Sequence, residues 1–445
     1  MKYKKLIALG ITISILCFTY QYFVLKAIPK EESLEILYIN NSNPEELRQV
    51  KASIVAITSM VKTKLDLPIN FTILEVKSDD EYHIKRNTIM LSSHPPDLIL
   101  AGRQPLDDLK NLGVLMPLEG KIENMNNVYK ALKGTHTVAF GFHIKSAVIN
   151  KKLIDALDLK IPSPDWMDSD VVSLIDQMKI KRPNMKLYLT KDLYDSYFNT
   201  YLADDLTQKL TGNIDDFTLT DPAFLEALMS MKTTLNRHFD LHEFPNQQAR
   251  VKMIFEPKSQ EYLRQERDIE EHILDNFTVV QGINSMNAVM LTKLYAKTQD
   301  LVLLPIGNRM ETLRFAISDK ATHKEQAILF LNLALNWDTQ FKFALFSDRV
   351  KFAQVNAENE CRLLAYGEAF ASDSNVVDIR QKVISLLDKD FYRDLGEMDS
   401  RELIVREELM RTTFNIIFDP KLSNQANLLK ELKIAEDRIK LMIKE

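Results

Sequence analysis

The sequence predicts an α/β fold organised on a parallel sheet, and three observations carry that expectation. Strand-like and helix-like runs alternate from Leu34 to Gly113. Such alternation is the pattern of parallel strands joined by helices that cover the sheet faces. The strand-like runs are short and rich in branched and aromatic residues, and the helix-like runs carry recognisable start and stop residues. The composition is that of a folded body, with 45% hydrophobic and 27% charged residues. A chain of 445 residues exceeds one ordinary domain and points to about two.

The first strand is LEILYIN, Leu34–Asn40. NSNPEELRQ then opens a helix, with Ser42 or Asn43 as N-cap, Pro44 as first helical residue and Glu45 and Glu46 in the first turn. This helix is expected to reach about Leu65. INFTILEV (69–76) is a second strand, a short helix covers about 80–91, and PPDLILAG holds a buried third strand. QPLDDLKNLG is a helix stopped at Gly113. Ligands of such sheets bind at the carboxyl ends of the strands, here NNSNP and AGRQP.

Beyond these, TVAFGF and SAVINK are extended runs bracketing His143, and KKLIDAL is a short helix. PSPDW breaks the chain, and Asp168, Ser169 or Asp170 caps a helix over 171–179. KLYLT, VKMIF, NAVMLT and DLVLLPIGN read as strands, and 192–202 and the run after Asp221 and Pro222 as helices. LRFAISDKATHKEQAILFLNLALN is a strand, a cap and a long helix. From about Val376 the pattern is almost all helical, broken near FDPKLSN.

Lys2, Lys4 and Lys5 precede the apolar run Leu6 to Leu25, a basic flank and apolar core of the kind export requires. The run reaches the roughly 20 residues that span a bilayer, with Tyr20, Gln21 and Tyr22 as interfacial residues. No small-x-small cleavage site follows. The expectation is an uncleaved anchor with the body on the extracytoplasmic side; a cleaved signal and a lipidated Cys17 are the alternatives. The two cysteines, Cys17 and Cys361, are not expected to pair. A net charge of −5 offers no footprint for nucleic acid. Eleven glycines make a glycine-rich phosphate cradle improbable.

Four stretches, in this order, resemble the extracellular solute-binding proteins of ABC-type importers, of the sugar-associated kind. PPDLILAGRQPLDDLKNLGVLMPLEG resembles the family's third strand, with PD before an apolar run, a helix and G-x-L-x-P-L. VAFGFHIKSAVINKKLIDALDLKIPSPDWMD resembles the crossover into the second lobe. DLVLLPIGN resembles the P-L-P-G-G turn, and LRFAISDKATHKEQAILFLNLAL the return segment with its helix. The resemblance runs from about Leu34 to Phe346. It implies a two-lobe periplasmic-binding-protein-like fold with hinge strands: lobe one from 34–140 with a return segment at about 286–335, and lobe two from 141–285 completed by C-terminal helices at about 336–445. Residues 1–33 would be the membrane or signal segment and tether.

The resemblance implies a small polar solute, such as a saccharide, held between the lobes, permease subunits as partners, a monomeric state and no cofactor. Sugar-binding members commonly present a Trp for stacking, and this chain departs from that. Trp166 stands where the family packs a helix, Trp337 follows a helix, and Tyr295 is the nearest aromatic substitute. The double-glycine turn is replaced by PIGNR.

The candidate ligand residues follow from these positions. Asn41 and Asn43 lie at a sheet-end loop, where capping is the competing role. Arg103 could offer a guanidinium fork, or be a surface arginine. Phe142 could stack and His143 hydrogen-bond at the crossover, with hinge packing as the alternative. Tyr295, Asn308 and Arg309 complete the set. Tyr194 and Tyr197 read as helix packing, and His238 with His242 as a helix end rather than a metal pair. No nucleophile elbow, P-loop or Cys–His pair is present, so an enzyme is not expected. The competing reading is a ligand-free scaffold or sensor that keeps the binding fold and contacts a membrane or envelope partner.

Overall fold

The computed structural model describes residues 32–283 apart from 41–43, 77–78, 103, 129–131, 161–162, 164, 186, 204, 207–208, 210–215, 240–245, 257–258 and 275–279, and then residues 301–336, 339, 351–352, 393–394 and 400–444 apart from 423. Its elements are, in order, β1 (Leu34–Asn40), α1 (Pro44–Val61), β2 (Ile69–Glu75), α2 (Asp79–Met90), β3 (Leu98–Ala101), α3 (Asp107–Asn111), β4 (Val138–Asn150), α4 (Lys151–Ala156), α5 (Asp168–Lys181), α6 (Lys191–Tyr201), α7 (Pro222–His238), α8 (Gln247–Phe255), α9 (Gln260–Leu274), β5 (Val280–Ile283), β6 (Leu301–Ile317), α10 (Lys324–Ala334), β7 (Lys351–Phe352), β8 (Arg393–Asp394), α11 (Ser400–Phe418) and α12 (Gln425–Lys444).

The alternating start of the chain forms the parallel sheet expected of it. β1 pairs in parallel with β2 on one side and β3 on the other, and β3 pairs antiparallel with β6. Side chains two apart share a face of a strand, and the cores follow that rule. Leu34, Ile36, Tyr38, Leu98, Leu100, Phe315 and Ile317 join one cluster with Ile54, Ile57 and Val61 of α1 and Phe330 and Leu331 of α10. Leu37, Ile39, Ile99, Ala101 and Ala316 join the opposite one with Tyr82 and Met90 of α2 and Leu109 of α3. Burial on both faces explains why these strands read as nearly continuous apolar runs.

Asp97 locks this sheet at one end. Its side chain is buried and accepts from the backbone N–H of Glu35 (3.0 Å), the backbone N–H of His323 (2.9 Å) and His323 Nδ1 (3.1 Å). Its carbonyl accepts from Ser318 N–H at 3.0 Å. The carboxylate therefore ties β1 to the start of α10, and the carbonyl of the same residue holds the chain just after β6. This is the acid of the PD pair that begins the third strand.

β4 is long because it runs from one core to another, and β6 pairs with both of its parts. Val138, Ala139, Phe140 and Phe142 of β4 lie in the first core, whereas Ile149 lies in a second. The second core gathers Trp166, Val171 and Ile175, then Tyr194, Tyr197 and Phe198, then Phe224, Leu228 and Met253, and finally Leu409, Phe414 and Leu432. Its part of the sheet is small: residues 146–150 of β4 pair with 301–305 of β6 and, on the other edge, residues 146–149 pair with β5. The two strands of the crossover gain further neighbours from the later chain, β7 on Gly141 and Phe142 and β8 on Arg309 and Met310.

Several local expectations are corrected. VKMIF is the end of helix α8, not a strand: Asn246 caps the helix through Ala249 N–H (2.9 Å), and Met253, Ile254 and Phe255 are buried. The described residues 187–190 of KLYLT form no strand; Leu187 and Leu189 pack into the second core, and Thr190 caps α6 through Leu193 N–H at 3.2 Å. DLVLLPIGN and LRFAI are one strand, as are TVAFGF and SAVINK, because the two pair with each other from Val138 and Phe315 to Asn150 and Leu301. NAVMLT lies outside the described residues, as does the apolar run of 6–25. Among the described residues no helix is long and apolar enough to cross a membrane.

A buried polar chain joins three helices of the second core. Tyr197 Oη lies 2.6 Å from His238 Nδ1, and His238 Nε2 lies 2.9 Å from Asp176 Oδ1. The carboxylate only accepts, so Nε2 carries the proton and Nδ1 accepts from the tyrosine hydroxyl, which leaves the ring neutral. Burial pushes the His238 pKa down, and Arg237 and Lys179 add to this against the pull of Asp176. Below a pH of about 6.5, where an unfolded histidine takes up a proton, the unfolded chain binds protons that the fold resists, so stability falls with falling pH. Thermal melts across pH 5–8 are expected to show this acid loss, reduced in His238→Gln. Replacing Asp97 by Ala leaves two backbone N–H groups without their acceptor. It should cost about 2–4 kcal/mol in a urea titration, whereas Asp97→Asn should retain part of that loss.

Candidate functional site

The crossover contains two irregularities, and the second builds a site. Near the first core, Ala139 pairs with Arg314 and Gly141 with Leu313, so Phe140 is an extra residue on β4; its ring stacks on Phe315 at 5.1 Å. Further along, Ile144 pairs with Met310 but Ser146 pairs with Pro305. A single residue of β4 therefore faces the four residues Ile306, Gly307, Asn308 and Arg309, which leave the ladder as a large bulge. Bulges re-aim side chains and bend the strand that carries them.

Gly307 makes this bulge possible. Its φ is +62°, a left-handed conformation that costs a residue with a side chain roughly 1–2 kcal/mol. A Cβ there would also lie 3.0 Å from Asp168 Oδ2. Its N–H donates to the carbonyl of Trp166 at 3.3 Å. The PSPDW and PIGN stretches are thus in contact. Trp166 is itself buried in the second core, so it anchors this turn and stands 3% exposed. Asp168 begins α5, whose first turn is held by Met167 N–H donating to Asp170 Oδ2 at 2.7 Å.

From the bulge, Arg309 reaches Asp195 of α6 at 3.5 Å. Asp195 is shared with Arg406 of α11, which also donates to Asn199. Asn199 Nδ2 in turn donates to Asp168 Oδ2 at 2.7 Å. Asp195 and Asn199 are one helical turn apart, which is why a single guanidinium meets both. Arg406 is buried and lies over the Phe198 ring at 4.8 Å, a cation–π distance. Burial lowers the pKa of Arg309 and the Arg406 charge lowers it further, while Asp195, Asp168 and Glu402 oppose them. A guanidinium stays charged throughout. The side chain of Arg309 is 22% exposed against 7% for Arg406, so Arg309 is the member that meets solvent.

The structure sorts the sequence candidates. Asn308 and Arg309 come together at the bulge, both partly exposed. Phe142 lies 5% exposed in the first core, the hinge-packing alternative, and the backbone of His143 pairs with Glu311 in the same ladder. Asn41, Asn43, Arg103 and Tyr295 lie outside the described residues, as do Trp337 and His242. Tyr194 and Tyr197 are fully buried and pack. Sequence reasoning missed Asp195, Asn199 and Arg406, and saw Asp168 only as a cap. The i,i+4 spacing of Asp195 and Asn199 was the available signal; nothing local marks Arg406.

No protein-family model matches the sequence, and no curated protein is significantly similar to it. Solved structures are. The bacterial solute receptor AcbH, described with an exclusive preference for β-D-galactopyranose, aligns over 92% of this chain and 98% of its own, at 13% identity and a TM-score of 0.61. The GacH receptor of Streptomyces glaucescens, solved unliganded and with acarbose, aligns over 93% and 100% at 12% identity and a TM-score of 0.57. The ABC substrate-binding protein Lmo0181 of Listeria monocytogenes, solved with cycloalternan, aligns over 92% and 98% at 14% identity and 0.55. At these identities the likeness establishes the fold: this chain has the α/β architecture of two-lobe, periplasmic-binding-protein-like solute receptors.

Proposed function

We propose that this protein is an extracytoplasmic solute-binding protein that captures a small polar solute, a saccharide in class, between two lobes and delivers it to an ABC importer. The observation that carries this reading is the crossover: β4 runs between separate cores, and its partner β6 opens at 306–309 into a polar bulge. Lobe one would comprise 34–140 with a return at about 286–335, and lobe two 141–285 with about 336–445; the memberships of the two cores support this division. The solute's free energy is spent on closure, because a ligand shifts a hinge equilibrium only through contacts that differ between the open and closed states. No covalent chemistry is needed. In this reading Asn308 and Arg309 contact the solute from the hinge, and Asn41, Asn43, Arg103, His143 and Tyr295 line the remainder, with Phe142 backing the hinge. The protein acts as a monomer tethered by its N-terminal segment, for which the lysine-flanked apolar run is the support.

Calorimetry and melting assays with D-galactose, D-tagatose, acarbose and cycloalternan, followed by wider saccharide, polyol and peptide panels, should identify a binder that also lowers the radius of gyration in X-ray scattering. A folded sample that binds nothing in any class would sink the receptor reading. Arg309→Ala should weaken the binder about tenfold or more, near 1.4 kcal/mol. Its melting temperature should move little, since Asp195 keeps Arg406 as partner.

A further inference from the structure

Arg406 of α11 governs the orientation of two side chains that reach the bulge. Its Nη2 donates to Oδ1 of Asp195 and to Oδ1 of Asn199. These residues sit one turn apart on α6, so their side chains lie beside each other. Each presents its other end to the bulge or its neighbour. Asp195 Oδ2 stands 3.5 Å from Nη1 of Arg309, within the bulge. Asn199 Nδ2 donates at 2.7 Å to Oδ2 of Asp168. That is the oxygen a Cβ at Gly307 would meet at 3.0 Å.

The donor and acceptor chemistry ties these orientations together. A guanidinium only donates, so it takes the carbonyl oxygen of the Asn199 amide and turns the NH2 toward Asp168. The reversed amide would set its NH2 against the guanidinium and its oxygen against a carboxylate, and neither pair can hydrogen-bond. A carboxylate held through one oxygen has the direction of its other oxygen fixed as well, so Asp195 Oδ2 is aimed at Arg309. Arg406 is itself held in place. Its side chain is 7% exposed, and its guanidinium lies 4.8 Å from the centre of the buried Phe198 ring. Binding is weakened by the cost of ordering long side chains, and contacts that order them in advance reduce that cost.

Resting on the receptor reading, we infer that Arg406 is a positioning residue of the solute site. Buried on α11, it turns Asp195 toward Arg309 and Asn199 toward Asp168, and so fixes the bulge 306–309 at two points. Its contribution to affinity passes through Arg309 and Asp168.

Calorimetry on the full chain tests this with the tightest wild-type binder among D-galactose, D-tagatose, acarbose, cycloalternan and the wider saccharide, polyol and peptide panels. Arg406→Met should bind that probe about tenfold more weakly. Arg406→Lys should recover part of the loss, since an ammonium still donates but lacks the planar fork. If the losses in Arg309→Ala and Arg406→Met were independent, the double variant would weaken binding about a hundredfold; coupling through Arg309 predicts about thirtyfold or less. Leu432→Ala removes buried side-chain volume from the second core on α12. It should lower the melting temperature yet leave the dissociation constant within about twofold.

A folded Arg406→Met that binds as tightly as wild type overturns the inference. So does a double variant that shows the full hundredfold product, or a Leu432→Ala that weakens binding as much as Arg406→Met. Should Arg406→Met fail to fold, Asn199→Ala decides. It should bind about threefold more weakly, and wild-type affinity in the folded variant overturns the inference. These results leave the receptor reading intact. Binding of no saccharide, polyol or peptide by folded protein overturns that reading and this inference with it.

Discussion

Everything distinctive in this structure depends on the antiparallel ladder between β4 and β6. β4 leaves the first core, crosses, and enters the second, and β6, which belongs to the first core at its later end, pairs with it on both sides of the crossing. Backbone hydrogen bonds make such a pair stiff along its length. Its two irregularities are therefore the places where it can bend or present side chains. One, at Phe140, is packed shut by Phe315, whose ring also meets Phe330 edge-on at 5.3 Å. The other is open, polar and held by the second core through Trp166.

That difference assigns work to the two ends. The first-core end is apolar and locked by Asp97, which fixes β1, β6 and α10 relative to one another. The second-core end is built from paired charges on α5, α6 and α11 that converge on Arg309. Arg406 is buried by Phe198 and neutralised by Asp195, so the site's geometry rests on a helix from the far C-terminal part of the chain. The last helices therefore shape this site as well as completing the second core. Trp166, the one tryptophan among the described residues, lies inside the second core.

Much of the fold was legible because its signals are local. β1, α1, β2, α2 and β3 show period, cap and turn residues in sequence, and the alternating burial of Leu34, Ile36 and Tyr38 against Leu37 and Ile39 reflects that order directly. Errors arose where an apolar run was too short to carry a period. VKMIF suits a buried strand as well as the end of a capped helix, and only its packing decides. KLYLT has strand-forming residues, but Leu187 and Leu189 are drawn into the second core and Thr190 caps a helix. Of the candidate site, Asn308 and Arg309 were found because a glycine turn marks them, while Asp195, Asn199 and Arg406 carry no mark beyond helical spacing.

The sequence by itself determined the class of architecture, the parallel opening sheet and the position of the crossover. These follow from residue-level constraints, side-chain period and capping chemistry above all; the need for glycine at 307 appears only with its positive φ in the structure. Only the tertiary structure decided that PSPDW and PIGN touch, that one carboxylate serves two arginines, and that Trp166 is an anchor. Those facts depend on which distant segments the two cores bring together. Hydrophobic burial drives that assembly without direction, and the hydrogen bonds and ion pairs of Asp168, Asp195, Asn199, Arg309 and Arg406 exist only after it has occurred.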